Sequence, residues 1–175
     1  VQADAKPMTA DAADALELTV VVPTFNEAAN VPLVVQRLDA VLKGVRWEVV
    51  FVDDDSPDGT ANVAQAIAAR DRRVRVIRRL GRRGLSTACV EGGLSSSAPV
   101  FAVMDGDLQH DEMVLPEMFR RLRADNLDIV VGSRYLDGER TGGLDGGMRR
   151  WISKTGGRVA QLVLHADLTD PMSGF

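Results

Sequence analysis

The stretch WEVVFVDDDSPDGT, residues 47–60, combines a strand, a group of carboxylates and the start of a helix. Its uninterrupted run of Val and Phe is typical of a strand that is covered on both faces of a sheet. Asp58, Gly59 and Thr60, at the end of the stretch, are typical of a turn and an N-cap. The stretch therefore predicts one strand–helix unit of an α/β protein.

The same pattern recurs along the chain of 175 residues. Helix-like segments lie between apolar runs of strand length, and Asn30 is the predicted N-cap of the first helix. This alternation predicts the α/β fold class, with a mainly parallel sheet, right-handed crossovers and helices on both faces. The predicted strands are residues 18–23, 47–54, 74–77, 100–105 and 127–133, and the predicted helices are residues 30–43, 59–70, 85–97, 113–124 and 148–165.

The composition is that of an ordinary globular chain, with 45% hydrophobic residues, a net charge of -4 and one cysteine. These values exclude disordered, collagen-like and disulfide-rich secreted proteins. No apolar run reaches the roughly 18 residues of a membrane helix, and the N-terminus lacks the pattern of a signal peptide. We expect a disordered or vector-derived segment over residues 1–16 and one domain over residues 17–175. Cys89 is interpreted as a small core residue rather than a reactive thiol.

Residues 70–84, RDRRVRVIRRLGRRG, are dense in arginine although the whole chain is acidic. One interpretation is a short strand with Val74 and Val76 facing inward and solvated arginines around it. The other is a surface for a phosphate or for acidic lipid head groups. A nucleic-acid partner is not expected, because aromatic residues are scarce and no recognition motif accompanies the charge.

Ligands of open α/β sheets bind beyond the carboxyl ends of the strands, so the residues that follow each strand are the candidate site. Carboxylates occur in three of the four groups found there. Asp53, Asp54 and Asp55 could not all stay charged and close together without partners, and one of them is expected to contact a nucleobase or ribose. The four groups are PTFNE at 23–27, DDDSPDGT at 53–60, DGDLQH at 105–110 and GSRY at 132–135.

Asp105 and Asp107 follow a predicted strand and are two residues apart. On an extended chain their carboxylates point to the same side and can converge on one cation, with Gln109 adding a neutral oxygen. Oxygen ligands favour Mg²⁺ or Mn²⁺, and neither Cys89 nor the histidines have zinc-site spacing. His110 is interpreted as an orienting or surface residue. A D-x-D pattern alone is weak, but its position at a strand end is typical of sites that hold a metal and a diphosphate.

The motifs VVPTFNE, VDDDSPDGT, GLSTA, MDGDLQH, VGSRY and DPMSGF, in this order, resemble those of family 2 glycosyltransferases. The resemblance extends from about Leu18 to the last residue and is strongest to the dolichol- or polyprenol-phosphate mannose synthase branch. It implies the GT-A fold, a single nucleotide-sugar-binding α/β sheet. It also implies metal-assisted transfer of a sugar, mannose or glucose, with inversion from a GDP- or UDP-sugar to a lipid-linked phosphate.

The resemblance assigns roles to individual residues. The predicted metal ligands are Asp105, Asp107 and Gln109, with Mg²⁺ or Mn²⁺ as the cofactor, and Asp105 is also assigned to the nucleotide. Arg134 and Arg149 match residues that face phosphate groups, with Arg150 as the rival of Arg149, and they are assigned to catalysis together with Asp107. The remaining nucleotide-binding residues are Pro23, Phe25 and Glu27, which hold the nucleoside, and Asp54, which contacts the base.

The chain departs from the family pattern at three motif positions. Asp111 stands where the family usually has Pro, Phe25 replaces the commoner Tyr, and Gly106 replaces a usual Ala. In the family the SGF motif is followed by a stretch that completes the acceptor side and often by membrane segments. We therefore expect a GT-A domain truncated at its C-terminal end, and a complete protein held at the cytoplasmic side of a membrane, peripherally or by segments outside this chain.

Two alternatives remain open within the same fold. Another family 2 transferase acting on a sugar hydroxyl would need a carboxylate base, and the candidates C-terminal to Arg134 are Glu139, Asp145, Asp167 and Asp170. A non-catalytic nucleotide-binding module is the second alternative, since a fold does not fix a function. A dinucleotide-binding enzyme is disfavoured, because PTFNEAAN stands where G-x-G-x-x-G would be required.

Overall fold

The computed structural model describes residues 15–109 and 112–132. These residues divide into two compact units, the first ending at Leu108 and the second beginning at Gln109. The predicted N-terminal segment lies almost wholly outside the described residues, as do His110 and Asp111. The helix predicted over 148–165 lies outside them as well. The single domain predicted over 17–175 stays a prediction.

The first unit alternates strands and helices, as its apolar periodicity predicts. Its four strands form one parallel sheet in the order β3-β2-β1-β4. The predicted α/β class with a parallel sheet is therefore confirmed. The elements are β1 Leu18–Thr24, α1 Val31–Val41, β2 Trp47–Asp53, α2 Thr60–Ala68, β3 Val74–Arg78, α3 Leu85–Leu94 and β4 Phe101–Val103.

Helices cover both faces of this sheet. The crossovers through α1 and α2 move along the sheet in one direction and that through α3 returns in the other, so right-handed connections put α3 on the opposite face. On the α3 face Val21, Val50, Val52 and Ala88 form a buried cluster. A Cβ built on Gly92 of α3 would lie 2.4 Å from Val21 Cγ1, so α3 approaches the sheet as closely as only glycine allows.

The first two helices begin at the predicted places. Asn30 precedes α1, but its side chain does not cap the helix; its amide donates to the Glu27 carboxylate instead. At α2 the predicted turn is confirmed. Asp58 Oδ1 accepts from the Thr60 backbone N–H at 3.0 Å and from its hydroxyl at 2.6 Å. Gly59, with φ +86°, allows the chain to turn there.

The second unit contains a short 3₁₀ helix, Glu112–Val114, and the helix α4, Leu115–Ala124. Glu117 pairs with Arg120 and Arg121 one turn later, and these partners lower its pKa to about 2. The strand predicted over 127–133 is wrong for 127–132, which form no strand. A strand requires ladder hydrogen bonds to a neighbouring strand, and residues 127–132 are not among the strands of the described sheet.

Most element boundaries differ from the predicted ones by one to three residues. The strand predicted over 100–105 is only Phe101–Val103, and the helix predicted over 85–97 ends at Leu94. Within the ranges 15–109 and 112–132, no helix is long and apolar enough to cross a membrane.

Candidate active site

The carboxyl ends of the four parallel strands lie at one edge of the sheet and carry the candidate site. Phe25 follows β1, Asp54 follows β2, Arg79 follows β3 and Asp105 comes shortly after β4. Residues of three of the four predicted strand-end groups therefore lie at the same edge. The fourth group, GSRY, is not assigned to this edge. Gly132 lies in the second unit, and residues 133–135 are outside the described residues.

Each acid of the Asp53–Asp55 run has its own partner. Asp53 is fully buried, and its carboxylate accepts from the Ser56 backbone N–H at 2.9 Å and from the Ser56 hydroxyl. Asp55 pairs with Arg78 at 2.6 Å. Asp54 pairs with Arg79. The prediction that three adjacent carboxylates need partners is confirmed, and Asp53 holds the loop together rather than facing a ligand.

Arg79 is the residue that sequence reasoning missed. Its side chain is 2% exposed, and Nη1 lies 3.0 Å from Asp54 Oδ1 while Nε lies 3.4 Å from Glu91 Oε2. Neither Nε nor Asp54 Oδ1 makes a hydrogen bond of good geometry, so these contacts are ion pairs held by charge. The expectation of solvated arginines over 70–84 is wrong for Arg79. The signal in the sequence that could have identified Arg79 is its position at the end of one strand, while a run of carboxylates ends another.

Arg79 and Asp54 together hold the start of α3. Arg79 Nη1 donates to the Gly84 carbonyl at 3.0 Å, and Nη2 donates to the Thr87 hydroxyl at 2.6 Å. Asp54 Oδ2 accepts from the Gly84 backbone N–H at 2.8 Å. The N–H and the carbonyl of Gly84 are therefore both hydrogen-bonded to these two side chains. The base-contacting role expected of Asp54 stays a prediction.

The PTFNE group is fixed by the loop that follows β2. The backbone N–H of Asn26 donates to Ser56 Oγ at 3.0 Å, and that of Glu27 donates to Thr60 Oγ1 at 2.9 Å. The next N–H, of Ala28, donates to Asp58 Oδ2 at 3.0 Å. The Thr60 hydroxyl first, and then the Ala28 N–H, lower the pKa of Asp58 below its ordinary value. The loop after β1 and the loop after β2 are therefore joined by hydrogen bonds.

The ring of Phe25 lies at the surface of these two joined loops, and the residue is 43% exposed. The guanidinium carbon of Arg83 lies over the ring, 4.5 Å from its centroid. This distance is within the range of a cation–π interaction. Pro23 and Glu27, the other two predicted nucleoside contacts of this group, are half-buried at the same edge.

Asp105 and Asp107 lie beyond β4, but not on an extended chain as we expected. The strand ends at Val103, and residues 106 and 107 form a turn. Asp105 is half-buried and Asp107 is exposed. Gly106 is buried between them, and a Cβ there would lie 3.3 Å from Thr24 Cγ2 and from Val22 Cγ1. Close packing on β1, rather than strand geometry, therefore positions the two carboxylates.

The donor set of this turn fits a divalent cation held only partly by protein. Carboxylate and amide oxygens suit Mg²⁺ or Mn²⁺, and such sites keep positions for substrate phosphates. Among the described residues no group of three or more His, Cys, Asp or Glu side chains could hold a metal ion. Gln109 begins the second unit, so its role as a ligand stays a prediction.

Cys89 lies on α3 and is half-buried. Burial raises the pKa of its thiol, and the nearby charge of Asp105 raises it further. A protonated thiol at neutral pH is a poor nucleophile, which agrees with the interpretation that Cys89 is not a reactive residue. The predicted core position is not confirmed, because Cys89 is only half-buried.

Most side chains of the arginine-rich stretch are neutralised by acids. Arg73 pairs with Asp39 and Asp71, and Arg75 pairs with Glu48. Arg78 and Arg82 pair with Asp55 and Glu91. This pairing disfavours a continuous anion-binding surface and supports the interpretation of a strand surrounded by charged side chains.

The predicted phosphate-facing residues Arg134 and Arg149, and the rival Arg150, lie outside the described residues. Their roles stay predictions.

The parallel sheet, its crossovers and its acidic edge agree with a GT-A fold, and the chain belongs to glycosyl transferase family 2, whose family model matches residues 19–175. The expected family and fold are thereby confirmed. The chain is 39% identical over 162 residues to a dolichol-phosphate mannosyltransferase of Pyrococcus furiosus, which covers 91% of this chain and 45% of that protein. It is 34% identical over 170 residues to an undecaprenyl-phosphate mannosyltransferase of Micrococcus luteus, covering 91% and 65% of the two chains.

A dolichol-phosphate mannosyltransferase of Saccharomyces cerevisiae is 34% identical over 166 residues, with 91% of this chain and 60% of that protein covered. The chain thus spans about half to two thirds of the length of these relatives.

Two solved structures share the fold. A mannosyltransferase from Pyrobaculum calidifontis in complex with GDP-Man and Mn²⁺ matches with a TM-score of 0.53 and 24% identity, covering 61% of this chain and 32% of that chain. A glucosyl-3-phosphoglycerate synthase from Mycobacterium tuberculosis in complex with phosphoglyceric acid matches with a TM-score of 0.60 and 20% identity, covering 91% and 55%.

Proposed function

We propose that this chain is the donor-binding part of an inverting glycosyltransferase that transfers mannose or glucose from a nucleoside diphosphate sugar to a polyprenyl or dolichyl phosphate. The observation that carries the proposal is the acidic edge of the sheet, where Phe25, Asp54 and the turn from Asp105 to Asp107 follow three adjacent strands. Mannose is favoured because the curated relatives are named as polyprenyl- and dolichyl-phosphate mannosyltransferases.

The donor's nucleoside would lie on the two joined loops that follow β1 and β2. The exposed ring of Phe25 offers a stacking surface, with Pro23, Glu27 and Asp54 around it. The diphosphate would extend toward Asp105 and Asp107. GDP-Man and Mn²⁺ are present together in the related Pyrobaculum calidifontis structure, which agrees with this class of donor.

Asp105, Asp107 and Gln109 would hold Mg²⁺ or Mn²⁺ by their oxygens. The bound ion would act as a Lewis acid that neutralises the charge of the departing nucleoside diphosphate. Fixing the donor at this edge also lowers the entropic barrier to its reaction with the acceptor.

A phosphate acceptor does not require a dedicated base. A phosphate is already ionised at neutral pH and needs no deprotonation before it attacks the anomeric carbon. The difficulty is instead the repulsion between two anions, which charge-assisted contacts from Arg134 and Arg149 would offset. Direct displacement by the acceptor gives inversion. Because the acceptor is a lipid, we propose that the complete protein works at the cytoplasmic face of a membrane.

The decisive experiment is calorimetric titration of GDP and UDP into the chain, each with Mn²⁺ and with chelator. We expect binding of one nucleotide that depends on Mn²⁺ and is strongly weakened by Asp105→Asn and by Asp107→Asn. Asp125→Asn, an exposed acid that follows α4, is the matched control and should leave binding unchanged.

Absence of binding to either nucleotide by the folded chain would overturn the proposal. Once the nucleotide is known, its mannose and glucose derivatives can be compared in a transfer assay with a polyprenyl phosphate. Transfer to a sugar hydroxyl with no transfer to the lipid phosphate would favour the alternative acceptor class.

A further inference from the structure

Leu108 has a backbone conformation that leucine rarely adopts. Its φ is +61°, in the left-handed region. Among the described residues the others that share this region and are not glycine are Asn26, Asp55 and Asn126. Asparagine and aspartate tolerate the left-handed region because their short polar side chains can hydrogen-bond the local backbone, whereas leucine has no such compensation. Leu108 is therefore the strained member of this group.

A glycine lies close to Leu108 but does not relieve this strain. Gly106 and Asp107 form the turn after β4, and Leu108 follows that turn directly. Gly106 could take a positive φ at little cost, but it is not among the glycines that have one. It packs on β1 instead, where a Cβ would have neighbours at 3.3 Å. The residue in the costly conformation is thus the leucine, so the surrounding structure must maintain that conformation.

The backbone of Asp107 is fixed on both sides. On its N-terminal side Met104 is 1% exposed and donates its N–H to the Val21 carbonyl at 3.0 Å, and Gly106 is buried. On its C-terminal side Leu108 is half-buried, and its positive φ sets the direction in which the chain leaves the turn. Asp107 itself is exposed. An exposed carboxylate is therefore carried by a backbone that is not free to rearrange.

We propose that Leu108 is a positioning residue, whose left-handed backbone holds the Asp107 carboxylate in the place where it binds Mn²⁺. This inference rests on the proposed function, in which Asp107 is a metal ligand. Backbone strain of this kind is concentrated at ligand sites, where it pre-organises a group for binding. A pre-organised carboxylate loses less conformational entropy when the metal and the diphosphate arrive. The site requires the conformation of Leu108 and not its apolar side chain.

The test places side chains at position 108 that differ in their tolerance of a positive φ. Isoleucine has the same atoms as leucine, but its branch at Cβ makes the left-handed conformation far less accessible. Asparagine and glycine adopt that conformation more easily, although neither provides the apolar side chain. The order of binding expected from conformation is therefore opposite to the order expected from apolarity.

GDP and UDP are titrated calorimetrically into each variant, with Mn²⁺ and with chelator. For the nucleotide that the unmodified chain binds, we expect Leu108→Ile to weaken Mn²⁺-dependent binding about tenfold. Leu108→Asn and Leu108→Gly should stay within about threefold of the unmodified chain. Binding in chelator should be the same for all variants, because Asp107 acts through the metal.

Leu94→Ile is the matched control. Leu94 is 83% exposed and is the last residue of α3, so the same change of side chain there should leave binding unaltered. Urea denaturation of each variant shows that the binding data refer to folded chain. Leu108→Asn and Leu108→Gly keep the test decisive even where Leu108→Ile does not fold, because both must retain Mn²⁺-dependent binding.

Two results would overturn the role of Leu108 while leaving the proposed function intact. Equal Mn²⁺-dependent binding by Leu108→Ile and the unmodified chain would show that the left-handed conformation does not position Asp107. A marked loss of binding in Leu108→Asn and Leu108→Gly would show that the site requires the apolar side chain. Failure of the unmodified chain to bind either nucleotide would instead overturn the proposed function, and the positioning role with it.

Discussion

The buried guanidinium of Arg79 lies 3.0 Å from the carboxylate of Asp54 and connects the ends of two neighbouring strands, β2 and β3. Each partner is also hydrogen-bonded to the backbone of Gly84. Asp54 therefore owes its position to an arginine that is hidden from solvent.

Arg79→Met should destabilise the chain strongly. It leaves Asp54 and Glu91 without their buried cation, and breaking a buried ion pair by removing one partner costs about 3–5 kcal/mol. Urea denaturation measures the loss. Arg72→Ala is the control, because this arginine is exposed and should change stability by less than about 0.5 kcal/mol. Equal stability of the two variants would contradict a structural role for Arg79.

Gly92→Ala should be destabilising although alanine is the better helix former. Its Cβ would lie 2.4 Å from Val21 Cγ1 and 3.0 Å from Val52 Cγ2, both in the buried core. Overpacking of this kind costs about 1–3 kcal/mol. Gly93→Ala on the same helix is the matched control, since the nearest atoms to its Cβ would be those of the exposed Phe101 ring, at 3.2 Å. Thermal melts should show a lower midpoint for Gly92→Ala than for Gly93→Ala.

Gly106 should accept alanine but not valine. A Cβ at this position has neighbours at 3.3 Å, the methyl groups of Thr24 and Val22, which need to shift only by tenths of an ångström. Valine adds two methyl groups in the same space and should displace the turn that carries Asp105 and Asp107. We expect Mn²⁺-dependent nucleotide binding to survive Gly106→Ala and to fall at least about tenfold in Gly106→Val. Equal binding by both variants would show that the packing of Gly106 does not position the carboxylates.

Asp58→Asn should reduce stability at neutral pH and much less in acid. The pKa of Asp58 is lowered in the folded state, chiefly by the Thr60 hydroxyl. A depressed pKa means that the stabilisation is fully present above the ordinary carboxyl pKa, near 4, and is lost as the pH falls through the folded value. Urea midpoints of the unmodified chain and the variant should therefore converge as the pH falls below the ordinary carboxyl pKa, near 4. A difference in urea midpoint that stays constant with pH would show that the charge of Asp58 is not the origin of the effect.

Local sequence patterns were sufficient to predict the strands and helices of the first compact unit. The stretch 47–60 carries its own information, because an apolar strand and the Asp58–Thr60 turn are both readable from neighbouring residues. The meeting of strand ends at one edge then follows from parallel topology alone.

The remaining features depend on residues that are distant in sequence. The burial of Arg79 requires Asp54 and Glu91, which no periodicity connects to it. The apolar run at 127–132 fits a strand by its pattern alone, and a pattern does not report the ladder hydrogen bonds that a strand requires. The sequence predicts an extended D-x-D segment because it does not show that Gly106 packs on β1.

The three successive N–H groups of Asn26, Glu27 and Ala28 are bound by side chains of the loop after β2. Amides of a surface loop normally exchange with solvent hydrogen almost freely, whereas hydrogen-bonded amides exchange only when the structure opens. These three should exchange together and slowly, as if they belonged to a strand. The conformational entropy of the segment is then lost when the chain folds, and none of it has to be lost again when a ligand arrives.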